Sequence, residues 1–282
     1  GGFPKYLLFE YLRYAGVAIV GGQHGNSYVD QIPPWAWESD FDRCDHFITW
    51  GFTKADLLRS FPEAKPRFTV HSIGSVLPKP VQSEKIEIDI VFPMTWGMAM
   101  FDGGPGRIKP DFLIERQTKI LEYLNSLKGL SIYVKPPPGN TRENCVALSL
   151  SQRLTNLRVL ENAPYVQFLE KYKPRLVIVE YPASPLYQSL LLDAEILLMP
   201  DLISPYEKQA LDELSRRVHF CEDTDAVIAK IDLFLTGRLE KKRDDAYYRH
   251  YIHKPNAQEN TLRLIADLAD GRAPADSARS ID

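Results

Sequence analysis

The most constraining feature of the sequence is a regular alternation that starts near residue 86 and continues to about residue 235. Short apolar runs rich in β-branched residues alternate there with amphipathic stretches whose apolar residues recur every three or four positions. This pattern is typical of βα units, in which helices cover both faces of a parallel sheet. It predicts a Rossmann-type, doubly wound α/β domain with six parallel strands.

The predicted elements of this domain follow from the two periodicities. The strands are predicted over Ile88–Met94, Ser131–Lys135, Leu157–Glu161, Leu176–Tyr181, Glu195–Pro200 and Val218–Glu222. The helices are predicted over Pro110–Leu127, Arg142–Leu154, Tyr165–Tyr172, Ser184–Leu192, Tyr206–Arg216 and Asp225–Leu235.

The first 80 residues have fewer elements and a long loop. The patterns predict two helices and three strands, over Tyr6–Tyr14, Val17–Gly22, His46–Gly51, Lys54–Ser60 and Arg67–Ile73. Three strands make a poor independent sheet. Residues 1–82 are therefore predicted to be the C-terminal portion of a truncated N-terminal α/β domain, and residues 83–270 to form the Rossmann-like domain.

The C-terminal end carries one more helix pattern. Asn256 with Glu259 three residues later matches a capping box, which predicts a helix that begins there. Its inward-facing residues are predicted to be Leu262, Ile265, Leu268 and Ala269. Residues 271–282 are small and polar, and we expect a disordered tail.

Composition excludes several classes of partner. The chain has 34 Lys and Arg residues and 37 Asp and Glu residues, which gives a net charge of -3 and a pI near 6.1. Such a chain has no bulk attraction for nucleic acid or anionic membranes, so we expect no nucleic-acid partner. No apolar run approaches the roughly 20 residues that cross a bilayer, and no secretory signal is present, so we expect a cytoplasmic protein.

The three cysteines, Cys44, Cys145 and Cys221, have neither CxxC spacing nor an even count. They are predicted to be buried apolar residues in a reducing compartment rather than disulfide partners or zinc ligands. The histidines show no recognisable ligand spacing, so no metal site is predicted.

The first candidate site is the Gly-rich turn Gly21–Ser27, which directly follows a predicted strand. Open α/β sheets bind ligands at the carboxyl ends of their strands, where glycines let the backbone approach closely. His24 would lie at such a cleft as acid, base or hydrogen-bond donor. The alternative is a plain turn with glycines at positive φ and a partly exposed histidine.

The loop that follows combines acidic and aromatic residues, including Trp35, Trp37, Glu38 and Asp40. Aromatic rings stack on sugar faces, and paired carboxylates bind hydroxyls or act as acid and base. The loop is therefore a candidate sugar site. The alternative is a solvated acidic loop whose aromatic residues pack on the core.

Two further candidates follow predicted strands. Glu180 and Tyr181 end one strand, Ser184 is a suitable N-cap before Pro185, and Gln188 lies one turn into the helix. A helix N-terminus at that edge binds phosphate, and Gln188 would reach a ribose or base. Lys135 ends another strand and would offer its charge to a phosphate. The alternatives are an ordinary βα junction and a surface lysine.

The run Gly22-Gln23-His24-Gly25, followed by Glu38, Asp45 and Phe47-Ile48-Thr49-Trp50-Gly51, resembles a block found in transferases of bacterial surface-carbohydrate gene clusters. Those proteins are two-domain glycosyltransferases of the GT-B type, related to Kdo transferases and CDP-glycerol glycerophosphotransferases. The resemblance extends through 177–190 to Tyr247-Tyr248. Two positions depart from it, because Gln188 replaces the acid that holds the donor ribose, and Lys135-Pro136-Pro137 lacks a histidine.

The resemblance implies a metal-independent glycosyltransferase that needs no cofactor beyond its nucleotide-activated sugar donor. The implied acceptor is a cell-surface saccharide or a lipid-linked one, with peripheral association at the inner membrane left open. Residues 1–82 would be the acceptor side and residues 83–270 the donor side. The implied catalytic residues are His24, Glu38 and Asp40. The implied donor-binding residues are Gly22, Gln23, Gly25, Lys135, Glu180, Tyr181, Ser184 and Gln188.

Two other functions remain open at this stage. One is a CDP-polyol phosphotransferase, in which His24 would act on the phosphoryl group or on the acceptor hydroxyl. The other is a non-catalytic binding or scaffold module that keeps the fold, which Gln188 favours because the ribose-binding acid is missing.

Overall fold

The computed structural model describes residues 3–23, 28–31, 40–63, 65–75, 85–95, 110–136, 145–160, 164–200 and 205–272. The chain divides into two compact units. The first unit comprises Gly1–Leu77, Tyr206–Leu211 and Ala246–Asp282, and the second comprises Pro78–Pro205 and Asp212–Asp245.

The described strands and helices alternate along most of the chain. The strands are β1 (Val20–Gly22), β2 (His46–Thr49), β3 (Thr69–Ser72), β4 (Ile86–Pro93), β5 (Ile132–Lys135), β6 (Arg158–Val159), β7 (Tyr172–Val179), β8 (Glu195–Leu198) and β9 (His219–Phe220). The helices are α1 (Phe3–Tyr14), α2 (Lys54–Ser60), α3 (Pro110–Ser126), α4 (Val146–Leu150), α5 (Tyr165–Lys171), α6 (Ser184–Ser189), α7 (Lys208–Ser215), α8 (Thr224–Leu235), α9 (Ala246–Tyr251) and α10 (Ala257–Ala269).

The first unit contains a parallel sheet of three strands in the order β1-β2-β3. Val20 pairs with His46, and His46 pairs with Thr69, so the three strands run in register from their first residues. An aromatic cluster forms its core, in which the rings of Phe41 and Phe47 meet edge to face at 4.8 Å. The cluster comprises Tyr28, Phe41, Phe47, Phe52 and Phe68, all buried.

Helices α9 and α10 belong to this first unit. The sequence had predicted them in the second domain, together with the rest of residues 83–270. The Tyr247 hydroxyl donates to Asp30 Oδ2 at 2.7 Å. The Ser75 amide donates to the Ile252 carbonyl at 2.8 Å. A Cβ at Gly51 would meet the His250 carbonyl oxygen at 2.2 Å, so the glycine permits this close approach. Buried long-range hydrogen bonds thus tie the last helices to the first strands.

The predicted capping box at the last helix is wrong. Asn256 has φ 58 and ψ 30, and its side chain makes no capping hydrogen bond. A capping side chain requires an extended backbone at that residue, whereas Asn256 instead uses its tolerance of the left-handed region. The predicted inward face is wrong as well. Leu264 is the buried residue of α10, while Leu262 is 63% exposed and Ile265 is also exposed.

The second unit contains a parallel sheet of six strands in the order β6-β5-β4-β7-β8-β9, as the alternating pattern predicted. The second halves of β4 and β7 are apolar and buried, and Ile90, Phe92, Leu176 and Ile178 belong to one hydrophobic core cluster. Strand β7 begins at Tyr172, four residues before the predicted start, because Tyr172 pairs with Ile86 at the beginning of β4.

Within the described residues, no helix has both the length and the apolar character needed to cross a membrane. Cys44, Cys145 and Cys221 are free thiols, and all three are buried as predicted.

Candidate functional site

The strand order of the second unit creates a crevice at one edge of its sheet. The chain moves outward from β4 to β5 and β6, and then crosses back to β7 on the other side of β4. The segments that leave β4 and β7 therefore diverge in opposite directions. In open parallel sheets, ligands bind at the carboxyl ends of the strands at such a reversal.

A cavity of about 350 Å³ lies at this edge. Its walls come from the ends of β4 and β5, the segment after β7, and the beginnings of α5 and α6. The lining residues are Pro93, Met94, Thr95, Lys135, Pro136, Pro164, Tyr165, Tyr181, Ala183, Ser184, Pro185 and Gln188. Most of these side chains are proline, tyrosine or other apolar residues, with a few polar groups among them, which is typical of a small-molecule site.

Lys135 is the only charged side chain among the described residues that line the cavity. It ends β5 and is 3% exposed, so the surface-lysine alternative is wrong. Its ammonium group donates to the carbonyl oxygen of Pro136. Burial lowers the pKa of Lys135. A buried cation at a cavity wall offers a charge that an anionic ligand group would neutralise.

Gln188 contributes a neutral amide to the same cavity. The residue is 9% exposed and lies on α6, and its side chain takes part in none of the side-chain hydrogen bonds found between described residues. A carboxamide both donates and accepts, so it can pair with a hydroxyl or with the edge of a base. The structure therefore brings Gln188 and Lys135 to one cavity, although 53 positions separate them in the sequence.

Ser184 and Tyr181 also line the cavity, but Ser184 is not an N-cap. The N-cap of α6 is Ala183, whose backbone is extended, and no side chain caps the helix. Ser184 and Pro185 are the first two helical residues, since Pro185 adopts helical φ without needing its missing amide hydrogen. The helix therefore begins one residue earlier than the predicted serine cap allows, and Ser184 is its first residue rather than its N-cap.

Glu180 is a buried carboxyl group that contacts the cavity wall. It is 1% exposed, and its Oε1 accepts from the Thr95 amide at 2.6 Å and from Gln117 Nε2 at 2.7 Å. Arg116 Nη1 donates to its backbone carbonyl at 3.2 Å. Burial raises the pKa of Glu180 to about 7, and the hydrogen bonds and Arg116 only partly oppose this. A carboxyl group with such a pKa titrates near neutral pH.

The predicted residues of the first unit are only partly described. His24, Gly25 and Glu38 lie outside the described residues. Gly22 ends β1, and the Gln23 amide donates to the Ile48 carbonyl at 2.8 Å. The Gln23 side chain accepts from the Trp50 amide, also at 2.8 Å. Gln23 thus joins the segments that follow β1 and β2.

Asp40 is engaged in a hydrogen bond with the core of the first unit. Its Oδ2 accepts from the hydroxyl of the buried Tyr28 at 2.5 Å. The carboxylate precedes a short 3₁₀ turn, Phe41–Arg43, without capping it. Asp40 therefore has a structural partner in addition to its predicted role as a base.

Sequence reasoning missed several residues around the cavity, namely Thr95, Arg116, Gln117 and Tyr165. Arg116 and Gln117 are polar positions on α3, and both are buried against Glu180. Tyr165 lines the cavity while its hydroxyl lies 3.1 Å from Ser189 Oγ. No local pattern marks a polar helical residue as buried, because its burial depends on the strand it meets.

A second cavity in the same unit, of about 310 Å³, has a strongly charged lining. Its charges are largely paired with each other. Arg243 bonds to Asp193 at 2.7 Å and to Glu195 at 2.6 Å, and Lys173 lies 3.6 Å from Glu87. Charged groups that are already paired with each other are less available to a ligand than the Gln188 amide or Lys135 is, so the first cavity is the better candidate site.

The described part of the chain contains no cluster of three or more His, Cys, Asp or Glu that could hold a metal ion. The three thiols are not candidates for nucleophiles either. Burial raises the pKa of Cys44 and Cys221 to about 12, and it also raises the pKa of Cys145. A thiol is reactive only as its thiolate.

Comparison with known proteins identifies structural relatives only. No protein-family model and no curated protein matches the sequence. The pneumococcal O-GlcNAc transferase GtfA, solved with UDP and GlcNAc, is 14% identical with a TM-score of 0.54; the match covers 94% of this chain and 55% of GtfA. The S. aureus MnaA–UDP structure is 11% identical with a TM-score of 0.56, and the match covers 93% and 72%.

A UDP-N-acetylglucosamine 2-epimerase is similar to the same extent, with 10% identity, a TM-score of 0.54 and coverage of 94% and 68%. The chain spans about half the length of GtfA. At such low identity, the likeness establishes the fold and nothing further. Together with its parallel three-stranded and six-stranded sheets, it shows that the chain has the α/β fold of GT-B proteins.

Proposed function

We propose that the cavity of the second unit binds the nucleotide of an activated sugar, and that the protein is a glycosyltransferase of bacterial surface-glycan synthesis. The observation that carries this proposal is the place of the cavity at the reversal of strand order, with Lys135 and Gln188 in its walls. The structures of GtfA and MnaA contain UDP, which makes a uridine nucleotide the first candidate for the donor.

Each part of a nucleotide has a chemical counterpart in the cavity. The ammonium group of Lys135 would neutralise the diphosphate, which carries the largest charge of the ligand. The amide of Gln188 would bind the ribose or the base. The rings of Tyr165 and Tyr181 and the prolines provide apolar surface for a planar base.

In the proposed reaction an acceptor hydroxyl attacks the anomeric carbon of the sugar. A new C–O bond forms, and the bond between that carbon and the diphosphate breaks, so its electron pair goes to the diphosphate oxygen. Lys135 stabilises the charge that develops there. The acceptor proton goes to a base, for which His24, Glu38 and Asp40 are the candidates. The acceptor would be a saccharide or a lipid-linked saccharide.

Titration of the protein with nucleotides tests the donor site. We expect UDP to raise the melting temperature, because a ligand that binds only the folded state stabilises it. Lys135→Met should weaken UDP binding by about tenfold, because a charged hydrogen bond of about 1.5 kcal/mol is lost. Calorimetry would measure both dissociation constants.

The matched control is Lys128→Met, since Lys128 is an exposed lysine of the same unit that does not line the cavity. It should bind UDP as the unaltered protein does. Equal affinity of the Lys135→Met variant would contradict the site. Preference for CDP over UDP would support transfer of a polyol phosphate instead, and nucleotide binding without turnover of any sugar conjugate would support a binding module.

A further inference from the structure

A buried hydrogen-bond network lies directly behind one wall of the nucleotide cavity. The Glu180 carboxyl joins the segment after β4 to helix α3, because its Oε1 accepts from both the Thr95 amide and the Gln117 side chain. Thr95 lines the cavity, whereas Gln117 does not. The position of the Thr95 backbone at the cavity wall therefore depends on a carboxyl group that does not itself line the cavity.

The other oxygen of this carboxyl is unusual. Glu180 Oε2 is fully buried and has no hydrogen-bond partner among the described residues. Burying an ionised carboxylate costs free energy when one of its oxygens accepts no hydrogen bond. A protonated carboxyl group is neutral, so its burial costs less. The network thus tolerates either protonation state without a change of partners at Oε1.

We propose that Glu180 is a positioning residue that couples the affinity of the cavity for an anionic nucleotide to the uptake of one proton. This inference rests on the proposed nucleotide site. When the diphosphate binds, the Glu180 carboxylate takes a proton from solvent, since a second negative charge beside a buried anion is unfavourable. The protonated carboxyl still accepts from Thr95 and Gln117, so the cavity wall keeps its shape.

The charged and titratable groups around Glu180 are consistent with this coupling. From α3, the Arg116 guanidinium attracts the carboxylate, and from the residue before α4 the Cys145 thiol faces it. Burial lowers the pKa of Arg116 and raises that of Cys145, so Cys145 stays neutral near pH 7. Burial also raises the pKa of Glu180 to about 7, which places its titration in the physiological range.

The sign of the effect follows from linkage. A ligand that favours the protonated carboxyl binds more tightly at low pH, and its affinity falls as the pH rises through about 7. The terminal phosphate of UDP itself titrates near pH 6. The contribution of Glu180 is therefore the difference in the pH dependence of UDP affinity between the unaltered protein and a variant that lacks this carboxyl group.

The test measures UDP dissociation constants from pH 5.5 to 8.5 for the unaltered protein and for Glu180→Gln. Between pH 6 and pH 8, we expect the affinity of the unaltered protein to fall about three- to tenfold more than that of the variant. Calorimetry in buffers of different ionisation enthalpy should show proton uptake on UDP binding that Glu180→Gln reduces.

Two further variants sharpen the test. Gln117→Met removes a donor that stabilises the ionised carboxyl, so it should move the pH midpoint upward; it keeps Glu180 and serves if the glutamine variant is unstable. Glu195→Gln is the matched control, because Glu195 is another buried carboxyl of the unit, paired with His219 and Arg243 away from the cavity lining. Its UDP profile should match that of the unaltered protein.

Two outcomes would overturn the inference in different ways. Parallel pH profiles for the unaltered protein and Glu180→Gln would remove the coupling and leave the nucleotide site intact. Failure of UDP, CDP and GDP to bind at any pH would overturn the nucleotide site and the coupling with it.

Discussion

The two units each contain a buried carboxyl group, and the two groups behave in opposite ways. Asp56 of the first unit is 4% exposed, and its partners are His250, Arg59 and the capping residue Thr53. Burial alone would raise its pKa, but hydrogen bonds from His250 and Thr53 outweigh burial and hold the pKa well below its usual value. For Glu180, burial outweighs the hydrogen bonds and the charge of Arg116, and its pKa rises to about 7.

The number and charge of its partners decide in which direction burial moves the pKa of a carboxyl group. Both oxygens of Asp56 are bonded, since Oδ1 accepts from Arg59 and faces His250 at 3.2 Å, while Oδ2 accepts from Thr53. This carboxylate joins α2 to α9. Among the described residues, Glu180 has hydrogen bonds to neutral groups at one oxygen only, and it lies behind the wall of a cavity. The first arrangement stabilises a fold, and the second permits titration.

Asp56→Ala should cause the largest loss of stability among these substitutions. The variant loses the capping box of α2 and the anionic partner of His250 and Arg59, so we expect a loss of about 3 kcal/mol in the free energy of unfolding. Urea denaturation at pH 7 would measure this. Asp225→Ala is the control, because its ion pair with Lys119 is exposed and should contribute little to stability. Equal losses in both variants would contradict the structural role of Asp56.

Glu180→Gln should change how the stability of the protein depends on pH. The folded protein holds a proton at Glu180 that the unfolded chain releases above a pKa of about 4.3, so its stability falls as the pH rises from about 4 to about 7. Glutamine removes this term, and the fall between pH 5 and pH 8 should be smaller by about 2 kcal/mol. Urea denaturation at several pH values would measure it.

The opposite sign is expected for Asp56. Its lowered pKa contributes stability that is present at neutral pH and is lost as the pH falls below about 4.

The Glu180 prediction can also fail. If stability falls equally between pH 5 and pH 8 in the unaltered protein and in Glu180→Gln, the raised pKa of Glu180 is contradicted.

Arg59→Met should have a smaller effect than either carboxyl substitution. Arg59 bonds to Asp56 at 2.6 Å and lies 3.6 Å from Glu207, but more than a third of its side chain is exposed. Solvent screening limits such pairs, so we expect a loss of about 1 kcal/mol. A loss as large as that of Asp56→Ala would show that Arg59, rather than His250 and Thr53, stabilises the carboxylate.

Ser184→Ala should have the smallest effect on stability. Because Ala183 is the N-cap and the Ser184 side chain caps nothing, we expect a change of less than about 0.5 kcal/mol. Any effect should appear instead in the dissociation constant for UDP, since Ser184 lines the cavity. A stability loss near 1 kcal/mol would instead support a capping role for the hydroxyl.

Much of the fold was predictable because strands and helices here follow local periodicities. The helix Lys54–Ser60 has the predicted bounds, and all six strands of the larger sheet were predicted within a few residues. The site was partly predictable because strand ends share one edge of a parallel sheet, which is why Lys135, Tyr181, Ser184 and Gln188 line one cavity. The predicted roles of His24, Gly25 and Glu38 stay predictions.

The errors occur where a choice depends on distant residues. The apolar positions of α10 allow more than one inward face, and only packing within the first unit selects Leu264 over Leu262 and Ile265. The same holds for the domain boundary, since nothing local to Tyr247 reveals that its hydroxyl bonds to Asp30, 217 positions away.

The order of strands and helices and the polar residues at strand ends follow from the amino-acid sequence, because hydrophobic periodicity and turn-forming residues act over about ten positions. Which of those residues meet, which are buried and which titrate depends on how distant segments pack in the folded chain. Burial and charge partners arise from long-range packing: Asp56 meets His250 across 194 positions, whereas the Glu180 carboxyl is bonded, within the described part of the chain, by Gln117 and the Thr95 amide. Two similar side chains thereby acquire opposite pKa shifts.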